Sequence, residues 1–107
     1  MENITNRIGK YSPEDDDSII YEMSDDQGVA CALYLDIEHH MIMNIETRED
    51  RRHEGLATRV FEAADDDINA YLAPEFCRTP EGQMWAETMK YADVMDEETA
   101  EKIVYGE

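Results

Sequence analysis

Ile45-Glu46-Thr47-Arg48-Glu49-Asp50-Arg51-Arg52-His53-Glu54-Gly55-Leu56-Ala57-Thr58-Arg59-Val60 is the stretch on which the fold turns. Its first residues close an alternating segment, Met41 to Thr47. Met41, Met43 and Ile45 fall on one face and Ile42, Asn44 and Glu46 on the other, the two-residue period of a strand. From Gly55 the period changes. Leu56, Val60, Ala63, Ala64, Ile68 and Tyr71 recur at helical spacing, which predicts an amphipathic helix from Gly55 to about Ala70 that packs on a sheet.

The turn between strand and helix concentrates positive charge. The chain has 27 Asp+Glu against nine Lys+Arg, yet four of its six arginines, Arg48, Arg51, Arg52 and Arg59, lie here. A helix N-terminus leaves main-chain N–H groups without intrahelical partners and carries partial positive charge, so it attracts phosphate. Gly55 and Ala57 allow close approach to the main chain, and guanidinium groups grip anionic oxygens in paired hydrogen bonds. The same residues also suit an ordinary solvated turn in which Arg-Arg balances nearby carboxylates.

Upstream, Ser18 to Met23 reads as a firm strand, and Ser24-Asp25-Asp26-Gln27-Gly28 supplies the chemistry of a hairpin turn. The return run, Val29 to Ile37, is almost wholly apolar, as expected of a strand covered on both faces. With Met41 to Thr47 this makes a three-stranded meander. Residues 1–17 offer little to bury beyond Ile4, Ile8 and Tyr11 and read as a loosely ordered strand and loop ending in an acidic run. Downstream, Tyr71 to Arg78 suits a short strand that Pro74 confines to an edge or a start. Thr79-Pro80-Glu81 opens a second helix reaching to about Tyr91, with Thr79 as N-cap. A last short helix, Glu97 to Val104, is capped by Asp96 within an acidic C-terminal extension, residues 92–107. The fold class is therefore α/β of the α+β kind: one domain, with a mostly antiparallel mixed sheet of about four to five strands, two main helices and a short C-terminal helix.

Composition sets further expectations. With 107 residues and 42% hydrophobic content the chain suits one domain with a modest core. No apolar run approaches the roughly 20 residues of a membrane helix, and Met1 to Arg7 lacks the apolar stretch of a secretion signal, so no membrane association and a cytoplasmic location are expected. Cys31 and Cys77 are expected as reduced thiols, and His39-His40 suggests no metal site. The net charge of −18 argues against direct binding of nucleic acid, which demands a basic surface. It suits a protein that places carboxylates where phosphates would lie on a basic partner, and equally one whose acidity serves solubility or salt tolerance.

A strand followed by Arg52-x-x-Gly55-x-Ala57 and a helix resembles the acetyl-coenzyme A signature of GNAT-type N-acetyltransferases, Arg/Gln-x-x-Gly-x-Gly/Ala. The run Ile45 to Val60 matches it without a gap, and Thr79 to Tyr91 is similar to the second helix of that family. The likeness covers roughly residues 18 to 91 and implies a short member of the superfamily, of a kind that small viral genomes such as those of phages encode, working in the host cytoplasm.

The resemblance implies that two central parallel strands splay to admit the pantetheine arm, which pairs with Ile45 and Thr47. The pyrophosphate would sit on the segment Arg51, Arg52, His53, Glu54, Gly55, Leu56, Ala57 and Thr58. Acetyl-CoA would be the co-substrate and an amine, a protein lysine or a small basic molecule, the acceptor. Glu46 or Glu38 is the candidate base, with His40 also able to titrate near neutrality. The tyrosine that the family often carries on its second helix, which protonates the departing thiolate, is replaced by Ala86 in register, leaving Tyr91 or Tyr71 as substitutes. The alternative is a catalytically inactive, acidic binding protein on the same scaffold, acting on a basic host protein. An open sheet edge would also offer a pairing site for a second copy.

Overall fold

A computed structural model describes residues 3–106. Among these residues the sheet has four strands, β1 (Asn3–Gly9), β2 (Ser18–Asp25), β3 (Gly28–Asp36) and β4 (Ile42–Thr47), in the order β1-β2-β3-β4 with every pairing antiparallel. Three helices follow: α1 (Leu56–Ile68), α2 (Pro80–Glu87) and α3 (Glu97–Tyr105). The α+β class read from the sequence is the one observed. The opening segment is more regular than its composition suggests. β1 pairs with β2 along its whole length without a register shift, from Asn3 opposite Ser24 to Gly9 opposite Ser18.

One face of the sheet holds the core. Tyr21, Met23, Cys31, Leu33 and Leu35 are buried there beneath Leu56, Val60, Phe61 and Ala64 of α1. The hairpin between β2 and β3 turns where the sequence puts Asp25-Asp26-Gln27-Gly28. Gly28 takes φ +113°, and the Asp25 carboxylate accepts from the Gln27 N–H. Leu33 is fully buried at the centre of this face, with Tyr21 on one side and Ile45 on the other.

The alternation expected of β4 is broken once. Leu35 pairs with Ile42 while Tyr34 pairs with Asn44, so Met43 is bulged out of the ladder and partly exposed. Ile42 thereby joins Ile45 on the core face, although strict alternation would place the two on opposite faces. Met41, on the other side of the chain, enters a second cluster with Ala73, Met95 and Ala100, through which α3 is attached.

The segment expected as a short strand between α1 and α2 is reduced to two parallel bridges. Met41 pairs with Tyr71, and Leu72 pairs with Val94. They are closed by Ile42 N–H to the Tyr71 carbonyl (2.9 Å) and Met95 N–H to the Leu72 carbonyl (2.9 Å). Pro74 then ends strand geometry and a 3-10 turn, Glu75–Cys77, leads to α2. Thr79 caps α2 as its sequence indicates, accepting from the Gly82 N–H at 3.0 Å. The helix stops at Glu87, short of Tyr91. α2 packs beside α1, with Trp85 and Phe61 edge to face at 5.7 Å. Asp96 caps α3 by accepting from the Thr99 N–H. Cys31 and Cys77 are free thiols.

The C-terminal part of α1 is fixed to the sheet by one buried hydroxyl. Tyr21 is 4% exposed, and its O–H donates to the Asp67 carboxylate at 2.5 Å. Burial first, then the Asp67 carboxylate, pushes the phenol up to about 12. Because the folded value lies above the unfolded one, this contribution is fully present below pH about 10 and is lost as pH rises toward about 12. Alkaline titration of unfolding should show stability falling across that window. Tyr21→Phe should be less stable at neutral pH and have a shallower alkaline decline.

Candidate functional site

The loop between β4 and α1 is built by its own hydrogen bonds. Arg48 N–H donates to the Ala30 carbonyl (2.8 Å), a last contact with β3, and Glu49–Arg51 form a 3-10 turn closed by Arg51 N–H to the Arg48 carbonyl (2.9 Å). Two left-handed residues then reverse the chain, His53 at φ +67° and Gly55 at φ +76°. Gly55 is the N-cap of α1, without a side-chain cap. Arg59 N–H donates to the Gly55 carbonyl (3.2 Å), the first helical bond. Residues 52 and 53 form a further hydrogen-bonded turn, and the N–H groups of Leu56 to Thr58 have no close, well-aligned main-chain partner among the described residues. The first amides of α1 are thus left without intrahelical partners at its positive end.

Gly55 is required for conformation rather than for space. A Cβ built there meets nothing within 4 Å, so the surface above it is open, while its positive φ disfavours any other residue. Gly55→Ala should lower stability by roughly 1 kcal/mol through backbone strain alone, measurable by urea unfolding. A much larger loss would mean that this surface is covered.

The arginines are less available than the sequence suggests. Asp25, from the β2–β3 turn, accepts from Arg48 Nη2 (2.5 Å), Arg48 Nη1 (3.1 Å) and Arg51 Nη1 (2.6 Å). Arg48 also bonds Asp50, and Arg51 also bonds Glu54. Arg52 is exposed and its Nε donates to the Thr47 carbonyl at 3.3 Å. Asp25 is a residue that spacing along the chain could not identify, since it lies 23 positions before Arg48. Arg48 first, then the Gln27 N–H and Arg51, hold its carboxyl well below the usual carboxylate range. This contribution is present above the unfolded value of about 4 and is lost as pH falls through the folded value. Asp25→Asn should therefore melt at a lower temperature than the parent at pH 7, with the gap closing in strong acid.

The other expected residues are spread over the sheet. Ile45 faces the core opposite Leu33, and Thr47 donates to the Cys31 sulfur (3.5 Å). Leu56 is buried beneath the loop. Ala57 is half-buried, and Thr58 Oγ1 accepts from the Trp85 indole N–H at 3.1 Å, facing α2. Glu46 stands on the opposite, helix-free face in a groove of about 320 Å³ with Glu22, Ala32, Tyr34, Thr47 and Arg48. The Tyr11 hydroxyl is pushed up chiefly by its hydrogen bond to Glu46, and its ring stands edge-on to Tyr34 at 5.2 Å.

Glu38 lies in the β3–β4 turn, at the end of β4 away from the loop. It borders a wider cleft of about 600 Å³ with His40, Tyr71 and Asp96. His40, at φ +62°, donates from Nδ1 to the Ile68 carbonyl at 2.8 Å. Tyr91 donates to Glu62 on the exposed side of α1 at 3.0 Å. The structure brings Glu46, Thr47 and Arg48 together but does not assemble Glu46, Glu38 and Tyr91 into one site.

Among the described residues no cluster of His, Cys, Asp and Glu is arranged to hold a metal ion, and no helix is long and apolar enough to cross a membrane. Comparison with family models, with curated proteins and with solved structures gives no match.

Proposed function

We propose that the chain binds acetyl-CoA at the β4–α1 loop and transfers the acetyl group to an amine. The observation that carries this reading is the set of unpaired amides at the start of α1, Leu56 to Thr58, opened by Gly55 at φ +76° after the turn that follows β4. It is the arrangement that a diphosphate needs. A second feature supports it: β4 touches its parallel neighbour only at Met41–Tyr71, so the edge of β4 toward Thr47 is left without a strand partner among the described residues. An extended pantetheine arm fits such an edge. The Thr47 carbonyl would share its second lone pair with the arm while Arg52 holds the first.

In this reading Arg52 and the amides carry the diphosphate, and Arg51 adds charge that Asp25 and Glu54 partly offset. The acceptor would approach Glu46 from the helix-free face, where Glu22 and Glu46 favour an ammonium group. Glu46 takes a proton from the ammonium. The free amine then attacks the thioester carbonyl, and the tetrahedral intermediate expels the thiolate, the extra proton on its nitrogen passing to solvent while the thiolate takes one up. Positioning and these proton transfers account for the chemistry. With Tyr91 committed to Glu62, solvent is the proton source for the thiolate.

A second reading, an acidic binding protein without catalysis that acts on a basic host protein, is favoured by the pairing of Arg48 and Arg51 with carboxylates and by the separation of Glu46, Glu38 and Tyr91. Native mass spectrometry of freshly purified protein distinguishes the two: the first reading expects a retained mass of coenzyme A or its acetyl form, the second a co-purified basic protein. Calorimetry should give low-micromolar to millimolar binding of acetyl-CoA, and Arg52→Glu should weaken it by about tenfold or more. No heat and no thermal protection at saturating acetyl-CoA would overturn the enzyme reading.

A further inference from the structure

β1 forms one margin of the sheet. It pairs with β2 along Asn3–Gly9 and, among the described residues, has no strand on its other side, so alternate residues turn main-chain N–H and C=O groups outward. The devices that usually protect such an edge are missing from it. Asn3–Gly9 holds no Pro, no Lys and no bulge against β2. Its one charged side chain, Arg7, is turned back onto Glu22 through Nε (3.0 Å) and Nη2 (3.3 Å). Ile8, on the core side of the sheet opposite Ile19, remains 58% exposed.

Charge distinguishes this margin from the rest of the surface. Asn3 to Pro13 is the longest run without Asp or Glu in a chain that carries 27 of them, and it contains Arg7 and Lys10. Two copies with a net charge of −18 repel each other over most orientations, and this strand adds no carboxylate to that repulsion. A basic partner would gain nothing from a strand of this charge.

We infer that β1 is a self-association edge on which a second copy pairs antiparallel, centred on Asn6, to form a continuous eight-stranded sheet. In that register Asn6 faces the partner's Asn6, Thr5 faces the partner's Arg7, and Ile4 faces the partner's Ile8. The pairing sums to an even number, so core-side residues meet core-side residues and the two α1 layers share one face. Ile8, exposed in the single chain, is then covered by the partner's Ile4, which is part-buried against the core. A shift of one residue would set Ile8 against Asn3 or Thr5, which belong to the opposite face. The assembly stands apart from the coenzyme reading and does not depend on it.

Sedimentation of the full chain over a concentration series tests the inference. A monomer–dimer equilibrium is expected, and because the opposing net charges are screened by salt, the dissociation constant should fall on the order of tenfold between about 0.02 and 0.5 M NaCl. Ile8→Lys, at a position already exposed, should leave the melting temperature unchanged and abolish the dimer. Asn6→Cys should give a disulfide-linked dimer on oxidation, since directly opposed residues lie about 4.5–5.5 Å apart, within bridging distance. Ile8→Cys should not, because its copies would be offset by four residues, roughly 13 Å. Four results would overturn the inference. They are a monomer at every concentration and salt level, a dimer weakened by salt, a dimer indifferent to Ile8→Lys, and an Asn6→Cys chain that links no faster than the parent with its own Cys31 and Cys77. A strict monomer would leave the edge to a different partner.

Discussion

The rest of the structure depends on the apolar face that β2 and β3 present together. Tyr21, Met23, Cys31, Leu33 and Leu35 cannot be left in water, and α1 is the element that covers them. Burying this face stabilises the fold through the apolar area removed from water, and it also fixes a direction. For Leu56, Val60, Phe61 and Ala64 to reach the face, α1 must start close to the end of β4. The chain has only the residues from Arg48 to Gly55 in which to turn, and it does so with a 3-10 turn and two left-handed residues. The unpaired amides at the start of α1 follow from that tight reversal.

Electrostatics hold the reversal in place. Asp25 belongs to the hairpin between β2 and β3, yet it binds Arg48 and Arg51 at the far side of the loop. Two chain segments meet in one partly exposed cluster. Within an acidic protein this cluster has two consequences. It keeps the loop from being displaced by repulsion among its many carboxylate neighbours, and it lowers the positive potential that the arginines would otherwise offer to an anion. The main-chain amides and Arg52 are therefore the groups with most to give a ligand.

The two faces of the sheet differ in kind. α1 and α2 lie on the core side, where Trp85 and Phe61 join them, and Thr58 is drawn into that contact rather than toward the loop's outer surface. Among the described residues, the other face has no helix over Ala30, Ala32 and Tyr34. There Tyr11 lies against Tyr34 and beside Glu46, so the segment after β1 covers part of the sheet. Glu46 gains a defined environment from a segment that the sequence presents only as polar and acidic.

Local signals were legible wherever one residue type has one conformational use. The strand-to-helix change of period at Gly55, the Thr79 and Asp96 caps, and the hairpin at Asp25 to Gly28 all lie where the sequence puts them, because each depends on neighbours within a few positions. What tertiary structure alone decided is of longer range. The bulge at Met43 reverses the faces of Ile42 and Met41, since covering by α1 and α3 outweighs strict alternation. The regular pairing of β1 rests on β2 being available beside it, not on any strong pattern of its own. The pairing of Asp25 with Arg48 and Arg51 requires two turns to meet in space, and side-chain spacing carries no record of that meeting.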